Sequence, residues 1–453
     1  MGAHFDLAVI GSGSGNSMID HAFADWRVAI MEKGTFGGTC LNVGCIPTKM
    51  FVHPADLAVE AAHGPRLGVD TRFDGARWVD MRERIFGRID PISVNGRAWR
   101  ESGRPNVRLF EGHARFVDAH TLDTGTGETI TAEQVVIATG SRPTLPDVPG
   151  LDDVPFHTSD TVMRIDDLPA SVLVLGGGFV AAEMAHVFSA FGSRVTVVNR
   201  SGRLLRQEDA EVSRRFTDIA CRRWDVRLDT EVEKVQRQGD GVRAHLDDGT
   251  TIDAELLLVA TGRRPNSDDL GLERAGVEVD AHGLVVVDAH QRTSVPGTWA
   301  LGDVSNPYQL KHVSNREARV VRHNLLHPDD LVEADHRFVP SAVFSHPQVA
   351  SVGVGEEEAR ERGMAFVVGR RDYADTAYGW AMEDDTGFAK VLVDPVTGLI
   401  LGAHVLGADA ANLLQPLVQA MVLGTTAHET ARAPYWIHPA LMEVVENALL
   451  DAV

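Results

Sequence analysis

A short apolar run that breaks into closely spaced glycines occurs twice in this chain, and that repeat limits the fold more than any other feature. Phe5 to Ile10 leads into Gly11-Ser12-Gly13-Ser14-Gly15-Asn16, then a helical stretch and a second apolar run from Arg27 to Met31 that ends at Glu32. Strand, glycine turn, helix and strand in that order make the dinucleotide-binding βαβ unit. The glycines let the backbone turn tightly and approach a pyrophosphate, and an acid about 20 residues on accepts hydrogen bonds from a ribose. Gly11, Gly13, Gly15 and Glu32 are therefore one candidate set, with Asn16 where a third glycine is usual.

The unit begins again at Val172 to Leu175, with Gly176-Gly177-Gly178-Phe179-Val180-Ala181 as its turn and Arg194 to Val198 as its next strand. The spacing is far too long for a solenoid repeat, so the pattern predicts two separate nucleotide domains. Here no ribose-binding acid follows the strand. Asn199-Arg200 stands in its place, with Arg203 and Arg206 close behind. A missing acid plus added guanidinium groups favours a 2′-phosphate, hence NADPH over NADH, at Gly176, Gly178, Arg200 and Arg206.

Between the two units lies Gly38-Thr39-Cys40-Leu41-Asn42-Val43-Gly44-Cys45-Ile46-Pro47-Thr48-Lys49. Two cysteines five positions apart, just before a helix start, suit disulfide exchange, because a helix N-terminus stabilises a thiolate. Pro47 fits a first helical turn, and Lys49 projects from the same face as Cys45 and adds positive charge. A zinc site would want four soft ligands, and the chain has three cysteines, so no metal is expected. Cys221, in a charged helical stretch, reads as structural.

The 453 residues suggest about three domains. A net charge of −21 argues against nucleic acid or an anionic membrane as main partner. No span-length apolar stretch occurs, and three cysteines without a secretion signal fit a reducing cytoplasm. The proline-rich Arg142 to Gly150 marks a connection between the nucleotide units, and Leu256 to Gly262 closes the second. From about Arg337, alternating apolar segments such as Val367-Val368 and Lys390 to Val393, then helical runs at Asn412 to Leu423 and Leu441 to Leu449, predict an α+β domain.

With these elements in order, nearly the whole chain resembles the pyridine nucleotide-disulfide oxidoreductases. The resemblance is carried by the Cys40 to Cys45 motif, Ala138-Thr139-Gly140, Ala260-Thr261-Gly262, Ala300-Leu301-Gly302-Asp303-Val304, and His438-Pro439-Ala440 with Glu443. It implies an α/β fold of two Rossmann-like dinucleotide-binding domains plus a C-terminal α+β dimerisation domain. The expected boundaries are 1–145 for the first part of an FAD domain, 146–265 for an NADPH domain, 266–336 for the return to the FAD domain and 337–453 for the interface domain, which His346 helps to mark.

By the same resemblance, Gly11, Gly13, Gly15, Glu32 and Asp303 hold FAD, and Gly176, Gly178, Arg200 and Arg206 hold NADPH. Thr39, Thr139, Gly140 and Gly262 lie beside the cofactors. Phe179 is the lid over the flavin, a ring without the usual tyrosine hydroxyl, and Lys49 pairs with Glu183 beside it. Cys45 is the flavin-proximal thiolate and Cys40 attacks the substrate. His438, oriented by Glu443, reaches the site from the other subunit of a homodimer and handles the proton.

Gly11 to Ser17 and Gln309-Leu310-Lys311-His312-Val313 look most like the mycothione reductase branch of the family, which implies mycothiol disulfide as the small-molecule substrate. Lipoamide dehydrogenase, which prefers an acid at Asn199, and glutathione reductase are the alternatives. A flavin-bearing sensor without turnover would need none of Cys40, Cys45, His438 and Glu443.

Overall fold

The computed structural model describes residues 2–453; residue 1, which opens the expected first domain, lies outside them. The first glycine repeat builds a sheet in which Ala3–Ile10 runs parallel between Val28–Met31 and Thr129–Ile137. Val107–Phe110 adds outside Val28–Met31, and Thr298–Ala300 pairs parallel with Thr129–Ile137. Leu7, Ala8 and Val9 are fully buried, as strands covered on both faces require.

The second repeat builds a smaller parallel sheet, with Ser171–Leu175 between Arg194–Val198 and Leu256–Val259 and with Asp225–Arg227 outermost. A three-stranded antiparallel sheet of Val232–Gln238, Gly241–Leu246 and Thr251–Ala254 covers it, packing Val235, Val242 and Ala244 against Leu173, Leu175 and Leu257.

The helices after the two glycine turns differ. In the second unit Phe179–Ala190 is a full helix, rich in Ala. In the first unit the expected helix stops after one turn, Ser14–Ser17, and a 3-10 turn His21–Phe23 follows. Gly15, Asn16 and Ser17 are weak helix formers, and the Asp20 side chain starts a new turn by accepting from Ala22 N at 2.9 Å. Arg100, on the helix Trp78–Ser102, donates to the carbonyls of Asn16 and Ile19 at 2.8 and 2.7 Å and so takes acceptors that a continuing helix would use.

The proline-rich connection forms a short strand, Ser141–Pro143, antiparallel to Arg263–Pro265. The two passages between the sheets therefore run side by side. Thr144 N donates to Gly262 O at 2.9 Å and Asn266 N to Gly140 O at 2.9 Å, tying the two Ala-Thr-Gly turns to the ribbon.

The last unit is a five-stranded antiparallel sheet in the order Ser341–Val343, Gln348–Gly353, Ile400–Gly407, Phe388–Val393, Val367–Asp372. The helices Ala410–Leu423, Ala427–Arg432 and Glu443–Leu450 back it. The run expected from Leu441 becomes helical only at Glu443, whose side chain is turned back to the preceding loop. Among the described residues no helix is long and apolar enough to cross a membrane.

Candidate active site

Cys40 lies in the short helix Gly38–Asn42, and Cys45 is the first residue of the helix Cys45–His63. Gly37 and Gly38 turn the chain into this loop at φ 106° and 76°. A Cβ on Gly38 would lie 2.7 Å from Gly13 Cα, so only glycine lets the cysteine loop close onto the first glycine turn. Asn42 pins the loop from below, its amide donating to the carbonyls of Phe36 and Gly38 at 3.0 Å each.

The two thiols hydrogen-bond each other and are not equivalent. That bond and the charge of Lys49 lower Cys45 to about 7 against the opposing effect of burial. The same bond, with burial and the neighbouring charge of Cys45, pushes Cys40 well above the thiol range. The pair therefore carries its negative charge on Cys45 and its proton on Cys40. Lys49 Nζ in turn donates to both oxygens of Glu183 at 2.8 Å, and the pair spans the two nucleotide units. Glu183 is buried and also accepts from Phe344 N at 2.9 Å, while the Lys49 ammonium sits 4.7 Å from the centre of the Phe344 ring.

One cleft of about 2330 Å³ joins these groups. Its wall includes Gly11, Gly13, Glu32, Thr39, Cys40, Cys45, Lys49, Thr139, Gly140, Gly176, Gly178, Phe179, Glu183, Arg200, Arg206, Gly262 and Asp303. Gly15 stands behind that wall: a Cβ there would lie 2.5 Å from the Ala138 side chain, so this glycine serves helix-to-strand packing. His438 and Glu443 are brought together, Nδ1 to Oε1 at 2.7 Å, but they are not on the cleft wall of their own chain. His438 is 71% exposed, beside the exposed Tyr435 and Ile437. Cys221, expected to be structural, is exposed on the helix Ala210–Arg223 and lies off the cleft.

The two glycine turns repeat each other closely. A Cβ on Gly11 would meet Ala138 O at 2.3 Å, and one on Gly176 would meet Ala260 O at 2.3 Å. By contrast a Cβ on Gly140, Gly178 or Gly262 would meet nothing within 4 Å, so these glycines keep the cleft floor open. Glu32 accepts from Ser12 N at 2.9 Å and Gly34 N at 2.8 Å, which holds its carboxylate at the end of its strand.

These features fit a flavin dinucleotide and a nicotinamide dinucleotide together. An ordinary ligand pocket measures roughly 300–1,000 Å³, and this cleft is larger and runs over both turns. Residues that sequence reasoning did not assign also stand there. Lys311 donates to Ser14 Oγ at 2.8 Å, and its charge acts to lower Cys40. Gln309 just before it has φ 56°, a backbone state that side chains rarely adopt. Asp303 accepts from Ser141 Oγ at 2.7 Å, and Arg263 Nε donates to the same hydroxyl at 2.9 Å. The unusual segment Gln309 to Val313 was the one sequence signal that pointed to Lys311.

The chain is 53% identical to the mycothione reductase of Mycobacterium tuberculosis (strain H37Rv), covering 98% of this chain and 99% of the relative. It is 35% identical to a mercuric reductase of Streptomyces lividans, over 96% of this chain and 93% of the relative. Among solved structures, the HOCl-induced flavoprotein disulfide reductase of Escherichia coli superposes with a TM-score of 0.86 at 29% identity, covering 99% of each chain. Residues 339–449 match the dimerisation domain of the pyridine nucleotide-disulphide oxidoreductases. Since the main model of that family matches residues 5–318 as well, the chain belongs to the pyridine nucleotide-disulphide oxidoreductases, flavin-dependent enzymes that use FAD and NAD(P)H.

Proposed function

We propose that this chain reduces mycothiol disulfide to mycothiol at the expense of NADPH, as a cytoplasmic homodimer. The observation that carries the reading is the pair Cys40 and Cys45, with Cys45 opening a helix and the Lys49–Glu183 ion pair beside it, set in a cleft between two dinucleotide turns. The 53% identity to a mycothione reductase over 98% of the chain supports that disulfide in particular. Residues 1–145 and 266–336 form the FAD unit, 146–265 the NADPH unit and 337–453 the interface unit.

Gly11, Gly13, Glu32, Thr39, Thr139, Gly140 and Asp303 hold FAD. Gly176, Gly178, Gly262, Arg200 and Arg206 hold NADPH, with Phe179 as the ring between. A flavin and a nicotinamide held by these two sets of residues would supply the electron pair that opens the Cys40–Cys45 disulfide to the two thiols. Lys49, oriented by Glu183, stabilises the thiolate on Cys45. Cys40 loses its proton to His438 of the partner subunit and attacks the substrate disulfide. One thiol leaves with that proton, and Cys40 is left in a mixed disulfide. The Cys45 thiolate then attacks Cys40, the Cys40–substrate bond breaks as the Cys40–Cys45 disulfide re-forms, and the second substrate sulfur leaves as a thiolate that takes a proton from solvent through His438 of the partner subunit. Glu443, 2.7 Å from His438 Nδ1, turns the other ring nitrogen toward the thiols.

The test is turnover of mycothiol disulfide, lipoamide and glutathione disulfide, each with NADPH and with NADH. Consumption confined to mycothiol disulfide and favouring NADPH is the expected result. Turnover of lipoamide with NADH would instead make this a lipoamide dehydrogenase and the arginines a solvated surface.

A further inference from the structure

Three arginines follow the second glycine unit, and one of them already has a partner. Arg203 Nη2 lies 3.1 Å from Glu357 Oε2, with the side chains 30% and 52% exposed. Arg200 and Arg206 are exposed on the cleft wall and enter no ion pair among the described residues. Glu357 comes from another unit: it sits on the short helix Glu356–Glu361 of the last domain, whose first turn carries Glu356, Glu357 and Glu358.

The two segments are held in one register by buried charge. The Asp209 carboxylate, at the end of the arginine loop, accepts from Glu211 N and from Glu356 N, both at 3.0 Å, and so caps both helices. Lys390, 1% exposed, reaches Asp209 at 2.6 Å and Glu356 at 2.8 Å. Arg203 and Glu357 therefore meet because the frame beneath them is rigid.

We infer that Glu357 sets the pyridine-nucleotide specificity of this enzyme by engaging Arg203 and withholding it from a 2′-phosphate bound at Arg200 and Arg206. The inference rests on the proposal above that those two arginines receive that phosphate. A half-exposed ion pair is weak and screened by salt, so a doubly charged phosphate competes for Arg203 without any change of fold. Glu357, Glu358 and Glu361 also line the cleft, and their charge opposes an arriving phosphate. Glu357 thus acts as a positioning residue, through Arg203, and lowers the preference for a 2′-phosphorylated cofactor below what three free arginines would give.

The test reads binding, not turnover. Adenosine 2′,5′-bisphosphate and adenosine 5′-monophosphate are titrated calorimetrically into the FAD-loaded dimer of the wild type, Glu357→Gln, Glu357→Asp, Arg206→Ala and the double variant Glu357→Gln/Arg203→Ala. Glu357→Gln should bind the bisphosphate about three- to fivefold more tightly, the scale of one exposed ion pair, with the monophosphate unchanged. The gain should be absent in Glu357→Asp and in the double variant. An unchanged bisphosphate affinity in Glu357→Gln, or an equal gain for both nucleotides, overturns the inference and leaves the phosphate site standing. If Arg206→Ala keeps the wild-type preference for the bisphosphate, the reading of the arginine loop itself fails.

Discussion

Replacing Lys49 by Met should move the titration of Cys45 upward by about one pKa unit. Lys49 follows Cys45 by four positions on one helix, which puts their side chains on the same face with about 6 Å between Cβ atoms. A unit charge at that distance is worth ~0.7 kcal/mol in water and ~3 kcal/mol at an effective dielectric of about 20. Since ~1.4 kcal/mol is one pKa unit, the two limits bracket a rise of roughly 0.5 to 2 units. Glu183, left without its partner, pushes in the same direction. Cys45 starts at about 7. At neutral pH the thiolate fraction then falls from roughly a half to roughly a tenth. The assay is the thiolate ultraviolet absorbance of the anaerobically reduced enzyme against pH, with a Cys45→Ser variant as baseline. Lys49→Arg keeps the charge and should titrate close to wild type. A Lys49→Met midpoint that stays in place, or falls, would refute the assignment of Lys49 as the counter-charge of Cys45.

Other substitutions separate the remaining roles. His438→Gln should slow disulfide turnover about 10²- to 10⁴-fold while NADPH still bleaches the flavin in rapid mixing, and Glu443→Gln should cost less because it only orients the ring. Gly176→Val and Gly178→Val should fail differently. Gly176 has φ 122° and a carbonyl 2.3 Å from a would-be Cβ, so its variant loses thermal stability, whereas Gly178 faces open space and its variant stays folded with a raised KM for NADPH. Burial raises Asp209, but His404, Lys390 and the Glu356 N–H outweigh it and hold the group at about 2, below its ordinary 3.8. That depression contributes roughly 2 kcal/mol of stability, present above about pH 4 and lost as pH falls through about 2. Urea midpoints of the wild type over that range should therefore fall more steeply than those of Asp209→Asn.

The features legible in the sequence are those set by local rules. Glycine turns, the strands beside them and the paired cysteines need particular residues at short spacing, and all of them appear where the spacing puts them. Contacts made across the fold leave no such mark. Lys311 and Ser14 meet from opposite ends of the first unit, and Arg203 meets Glu357 across two domains. The interrupted first helix was hidden for the same reason: Arg100, far along the chain, takes its carbonyls. His346, read only as a marker of the last domain, turns out to stack on His186 with ring centres 6.0 Å apart. Burial, with Arg223 nearby, brings it down to about 4, and His186 meets Asp56 at 2.8 Å. Asp56 and His186 lie on the same two helices as Lys49 and Glu183, so a second polar tie joins the helices behind the thiol pair.

The central claim is that Cys40 and Cys45 have separate tasks, one toward the substrate and one toward the flavin. Rapid mixing of Cys40→Ser with NADPH, followed by mycothiol disulfide, tests it most directly. Flavin reduction at the wild-type rate with disulfide turnover abolished is the predicted result. Loss of flavin reduction, or disulfide turnover that survives without Cys40, would contradict the account.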